Sequence, residues 1–148
     1  MSFVAGLFGT RAVLQTDLDL LLQLVAVTIL VVGFLYRKKV RRHGFILGAV
    51  AVLEVGTFLD FMGPVFFIDL QFFLTQFKPV YLAFLIHAFT GTAALVLSIG
   101  LLASWIPRLS NIAPCYQTRR KRLMDIAIAL WIASVAIGVT GYLLAYVY

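Results

Sequence analysis

The chain has 148 residues, 63% of them hydrophobic and 12% charged, and a mean hydropathy of +1.04. A soluble domain is nearer half apolar and about a quarter charged, so this balance excludes a soluble globular protein, and the length supports one domain. The net charge of +6 does not point to nucleic acid, because ten of the twelve basic residues stand in two clusters placed between apolar runs, where basic residues mark the cytoplasmic side and meet anionic lipid.

Residues 1–16 carry Arg11 but lack the early positive charge and the small-residue cleavage site of a secretory signal. A retained segment lying along the interface is expected. The first apolar span covers about 18–36. Asp17 and Asp19 stand at its start, where a helix dipole favours negative charge, and are expected to cap it. Gln23 follows one turn in. Tyr36 and the first basic cluster, Arg37, Lys38, Lys39, Arg41 and Arg42, form an interfacial anchor.

The second span covers about 44–62. His43 is at its mouth, Glu54 near its centre and Asp60 one turn from its far end. Gly63-Pro64 is expected to end the helix, since proline cannot continue it and restricts the residue before it. Residues 65–78 are too short to span. Phe66, Leu70, Phe73 and Phe77 fall at helical spacing there, which predicts an interfacial or re-entrant helix.

The third span covers about 79–105 and is closed by Trp105 and Pro107. The loop after it holds the lone Cys115 and the second basic cluster, Arg108 followed by Arg119, Arg120, Lys121 and Arg122. One cysteine allows no internal disulfide. The fourth span covers about 123–148 and shows two faces of small residues. One is Ala129, Ala133, Ala136 and Thr140, the other Ser134, Gly138 and Gly141. Tyr142, Tyr146 and Tyr148 make an aromatic end expected at the far interface.

These signals agree on an all-α integral membrane four-helix bundle, with a short interfacial or re-entrant helix between spans two and three. Both basic loops then lie in the cytoplasm and both termini on the opposite side.

The third span organises the bundle. Gly91, Ala94 and Ser98 follow His87 at i+4, i+7 and i+11 and share one helix face with it. Small residues let another backbone come close, which is how membrane helices associate. Glu54 lies roughly 15 Å, and His87 roughly 12 Å, from the non-cytoplasmic face by helix rise. Leaving either one alone in hydrocarbon costs several kcal/mol, on the order of 3 kcal/mol for an acid. Both are therefore expected to face the bundle interior, paired with each other or with Thr57, Thr90 or Gln23. A polar clamp fixing helix register, a proton- or quinone-linked site and a metal site are the roles open to such a pair.

The remaining histidine, His43, is about 25 Å from His87 along the membrane normal, so the two cannot ligate one heme within a chain. Met62 sits about 9 Å nearer the surface than His87 on the same count. No heme, metal or other cofactor is expected. There is no glycine-rich phosphate loop, cysteine pair or Ser-His-Asp arrangement, and a chain catalytic on its own is not expected.

Three stretches carry a family resemblance. They are Arg-Arg-His-Gly at 41–44, Ile-His-Ala-Phe-Thr-Gly at 86–91, and Arg-Lys-Arg-Leu-Met followed by Leu-Trp-Ile-Ala-Ser-Val-Ala-Ile-Gly-Val-Thr-Gly-Tyr over 120–142. From about Asp17 to Tyr148 the chain resembles a family of small four-helix prokaryotic membrane proteins, long of unknown function, some of which assist cytochrome oxidase maturation. His43 and His87 match two family histidines. The family pattern has two more, between spans two and three and just before the last span. This chain has none in 60–78, and Arg119, Arg120, Lys121 and Arg122 where the last would stand. The resemblance implies a prokaryotic cell membrane and a role beside a respiratory oxidoreductase. The departures favour a non-catalytic accessory subunit, held among other membrane subunits and lipid. An assembly factor for a heme-copper oxidase, and an electron-transfer protein with a heme or quinone site, are the alternatives.

Overall fold

The computed structural model describes residues 7–36, 38–75, 78–105 and 118–147. Among the described residues every regular element is helical: α1 (Leu14–Leu35), α2 (Val40–Thr57), a π-helical turn (Phe58–Met62), α3 (Gly63–Thr75), α4 (Pro79–Trp105) and α5 (Thr118–Tyr146). Four stretches, Leu14–Leu35, Arg42–Met62, Pro79–Ser104 and Lys121–Tyr146, are long and apolar enough to cross a membrane, as a multi-pass membrane protein requires. The shortest, of 21 residues, reaches about 32 Å as a helix, enough for a hydrocarbon core of about 30 Å.

The helices form a ring in which α1 packs on α2, α2 on α4, α4 on α5, and α5 back on α1. The α4–α5 interface is by far the most extensive, and small residues explain it. Ala94 is fully buried. A Cβ on Gly91 would lie 3.0 Å from Ser134 Oγ, and one on Gly141 3.3 Å from the Phe84 ring. Trp131 of α5 donates from Nε1 to Ser98 Oγ of α4 at 3.1 Å. Ala26, Leu30, Val50, Ala94, Leu95 and Trp131 make the buried apolar core.

Apolar side chains also cover the outside, among them Val52, Leu82, Phe89, Val96 and Ile132. Outward-facing threonines hide their hydroxyls in their own helices, Thr28 donating to the Leu24 carbonyl and Thr140 to that of Ala136, each at 2.8 Å. With no water to bind, a hydroxyl in lipid must find a partner at home.

The chain does not stop at Gly63-Pro64, and residues 63–75 are not a separate re-entrant helix. α2 runs through the π turn directly into α3. The Gly63 N–H reaches back to the Phe58 carbonyl, five residues away, and a Cβ on Gly63 would lie 2.9 Å from that oxygen. The widened turn explains why Pro64 is tolerated: it stands at the head of α3, where a missing N–H costs least. The side chains of Phe66, Leu70 and Phe73, together with Phe77, Cys115 and Tyr148, lie outside the described residues.

The fourth span presents only one of its two small-residue faces to the bundle. Ser134 is buried, and Gly138 and Gly141 meet α4, whereas Ala129, Ala133, Ala136 and Thr140 are exposed. Spacing alone gave both faces the same close-packing signature.

Candidate functional site

Polar side chains gather inside the ring at three levels. At the end bearing the basic clusters, His43 of α2 is buried. Its Nδ1–H donates to the Gly33 carbonyl of α1 at 2.6 Å, and its Nε2 lies 3.0 Å from Met124 Sδ of α5. This contact ties three helices and brings the ends that carry both basic clusters together. Lys38, Lys39, Arg42, Lys121 and Arg122 are exposed there. Arg37 and the side chains of Arg41, Arg119 and Arg120 lie outside the described residues.

At the opposite end Asp17 is fully buried. It does not cap α1, whose N-cap Val13 has no side-chain bond. Tyr142 instead donates its hydroxyl to Asp17 Oδ1 at 2.5 Å, and the Phe8 N–H reaches Oδ2 at 3.3 Å. Thr10 then donates to the Tyr142 oxygen at 2.7 Å and accepts from the Ala12 N–H at 3.3 Å. Tyr142 is thus 5% exposed, not an interfacial anchor, and residues 8–12 fold onto the bundle end. A tyrosine with a carboxylate at reach satisfies two buried groups at once, which an interfacial position would not.

Between these levels lies the Glu54–His87 region. Gln23 of α1 donates from Nε2 to Glu54 Oε2 at 3.1 Å and to Thr57 Oγ1 at 3.4 Å. Thr57 donates to the Glu54 carbonyl at 3.1 Å. Across the ring, His87 Nδ1 lies 2.7 Å from the Ser134 carbonyl, while the Ser134 hydroxyl donates to the His87 carbonyl at 3.1 Å. This reciprocal clasp exists because Gly138 has no side chain: a Cβ there would lie 2.8 Å from both Cε1 and Nδ1 of the imidazole.

Glu54 and His87 do not bond directly. Each is held by a neighbouring helix, and both border one cavity of about 30 Å³, shared with Gln23, Met62, Trp131 and Ser134. Thr90 binds only backbone carbonyls, of Ile86 and His87. Met62 borders the same cavity as His87. His43 shares neither partner nor cavity with His87. The face Gly91, Ala94 and Ser98 meets α5 through Ser134 and Trp131.

Among the described residues no three His, Cys, Asp or Glu side chains gather as a metal ion needs. Sequence reasoning did not foresee the Ser134 carbonyl as the partner of His87. A backbone acceptor has no residue type to announce it, although the glycine at i+4 from Ser134 is the trace such a clasp leaves.

No protein-family model matches the chain, and neither a curated protein nor a solved structure matches it. The resemblance drawn above therefore rests on its short motifs alone.

Proposed function

We propose that this chain is a non-catalytic accessory subunit of a larger membrane-bound oxidoreductase of a prokaryotic cell membrane, with its basic end in the cytoplasm and both termini outside. The motifs at 41–44, 86–91 and 120–142 support the respiratory setting. The observation that carries the subunit reading is the outer face of α5. Ala129, Ala133, Ala136 and Thr140 lie exposed at i, i+4, i+7 and i+11, a stripe on which a helix of a neighbouring subunit packs closely. The interior supports it too. Most of its polar side chains bind one another across helices, and the cavity beside His87, about 30 Å³, is of a size for water and not for a porphyrin or quinone ring.

Extraction in mild detergent and native electrophoresis test this reading. The chain is expected to migrate with larger partners, and Ala133→Phe on the exposed stripe is expected to release it while leaving its helical content unchanged. A free monomer from native membranes counts decisively against it. The same motifs support a second reading, a maturation factor for a heme-copper oxidase. Deletion of the chain then lowers oxidase activity while the oxidase subunits are still made, and normal activity in the deletion strain removes it.

A further inference from the structure

Apart from the Thr92 hydroxyl, the side-chain donors that border the cavity between Glu54 and His87 are already engaged, and acceptors are left over. Both Gln23 N–H bonds are spent on Glu54 Oε2 and Thr57. The Thr57 and Ser134 hydroxyls are spent on backbone carbonyls, and the Trp131 N–H on Ser98. A carbonyl only accepts, so His87 Nδ1 must carry the hydrogen it gives to Ser134, and in the neutral ring Nε2 keeps a lone pair. Glu54 Oε1 and Gln23 Oε1 are buried and unbonded, on residues only 3% and 5% exposed. Asp19, one turn before Gln23 on α1 and outside the cavity lining, has a further buried unbonded oxygen, Oδ1. α5 presents no titratable group to the cavity, only Trp131 and Ser134.

Acceptors crowded in a dry interior call for a positive or donating species, because each unpaired one costs free energy. The cavity, about 30 Å³, is large enough to admit water. A hard metal cation takes some six to eight oxygen ligands, far more than stand here. We propose that this cavity is an intramembrane proton-binding site, in which Glu54 holds a proton and one water links Glu54 Oε1 to His87 Nε2. A proton can then pass between them. The carboxyl O–H breaks as the water takes that hydrogen, and the water gives another to Nε2. A carboxylate and an imidazolium result, with no electron transferred. Gln23 holds the other carboxylate oxygen in place, and the Ser134 carbonyl fixes the tautomer that keeps Nε2 open. The site is independent of the accessory-subunit reading.

Infrared spectroscopy of the full chain in liposomes at neutral pH, in sodium-free buffer, tests it. The expected result is the C=O stretch of a protonated carboxylic acid, lost in Glu54→Gln and kept in Asp19→Asn. His87→Leu is expected to shift that band, because the water loses its second anchor. Glu54→Gln retains the shape of the site, so its helical content reports a folded control. A spectrum without the band, or a band that survives Glu54→Gln, overturns the proposal. A band unmoved by His87→Leu overturns the water link. Loss of the band on adding sodium at constant pH also overturns it, by giving the site to a metal ion.

Discussion

Asp17 and Glu54 are buried carboxylates on neighbouring helices, 0% and 3% exposed, and their surroundings differ in kind. Around Asp17 the donors line up: Ala12 N–H to Thr10, Thr10 to Tyr142, Tyr142 and Phe8 N–H to the carboxylate. Around Glu54 one oxygen is held by Gln23 and the other is buried without a hydrogen-bond partner. A carboxylate supplied with donors has its oxygens satisfied and works as a fastener. One left without a donor is completed only by a proton, a water or a cation. Burial alone does not separate structure from chemistry in a membrane bundle; the balance of donors and acceptors does.

The largest test of this contrast is Tyr142→Phe, which leaves Asp17 Oδ1 buried without its donor. A loss of about 2–3 kcal/mol is expected for a hydrogen bond to a charged group, measured by reversible unfolding in mixed micelles. A loss near zero breaks the contrast. Next is Gly138→Ala, which drives a methyl into the His87 ring. Overpacking of this kind costs about 1–3 kcal/mol, and faster proteolysis within α4 and α5 is expected beside the lowered midpoint. Smallest is Glu54→Gln. Its amide keeps an acceptor for Gln23 and brings donors to the cavity, so less than about 1 kcal/mol of change in either direction is expected. A loss matching that of Tyr142→Phe would place Glu54 among the fasteners.

Four apolar helices able to span a membrane, and their order, were legible in the sequence, because twenty-odd apolar residues bounded by basic clusters admit few other forms in a bilayer. The inward turn of Glu54 and His87 was legible too, because lipid penalises a polar side chain that faces it. Gly63-Pro64 misled, since the rule that proline ends a helix holds for an α-turn and is relaxed where a π turn precedes it. The two small faces of α5 were indistinguishable by spacing, and Asp17 at a helix start looked like a cap.

The sequence by itself determined that the chain forms apolar helices and which polar residues must leave the lipid, because the solvent dictates both residue by residue. Only the tertiary structure decided the partners. The Ser134 carbonyl for His87, Gln23 for Glu54, Tyr142 for Asp17 and the outward stripe of α5 all depend on how helices distant in the chain are rotated against one another. Between α4 and α5 that rotation follows close packing at Gly91, Gly138 and Gly141, and the spacing of small residues, which marked two faces of α5, did not say which of them packs.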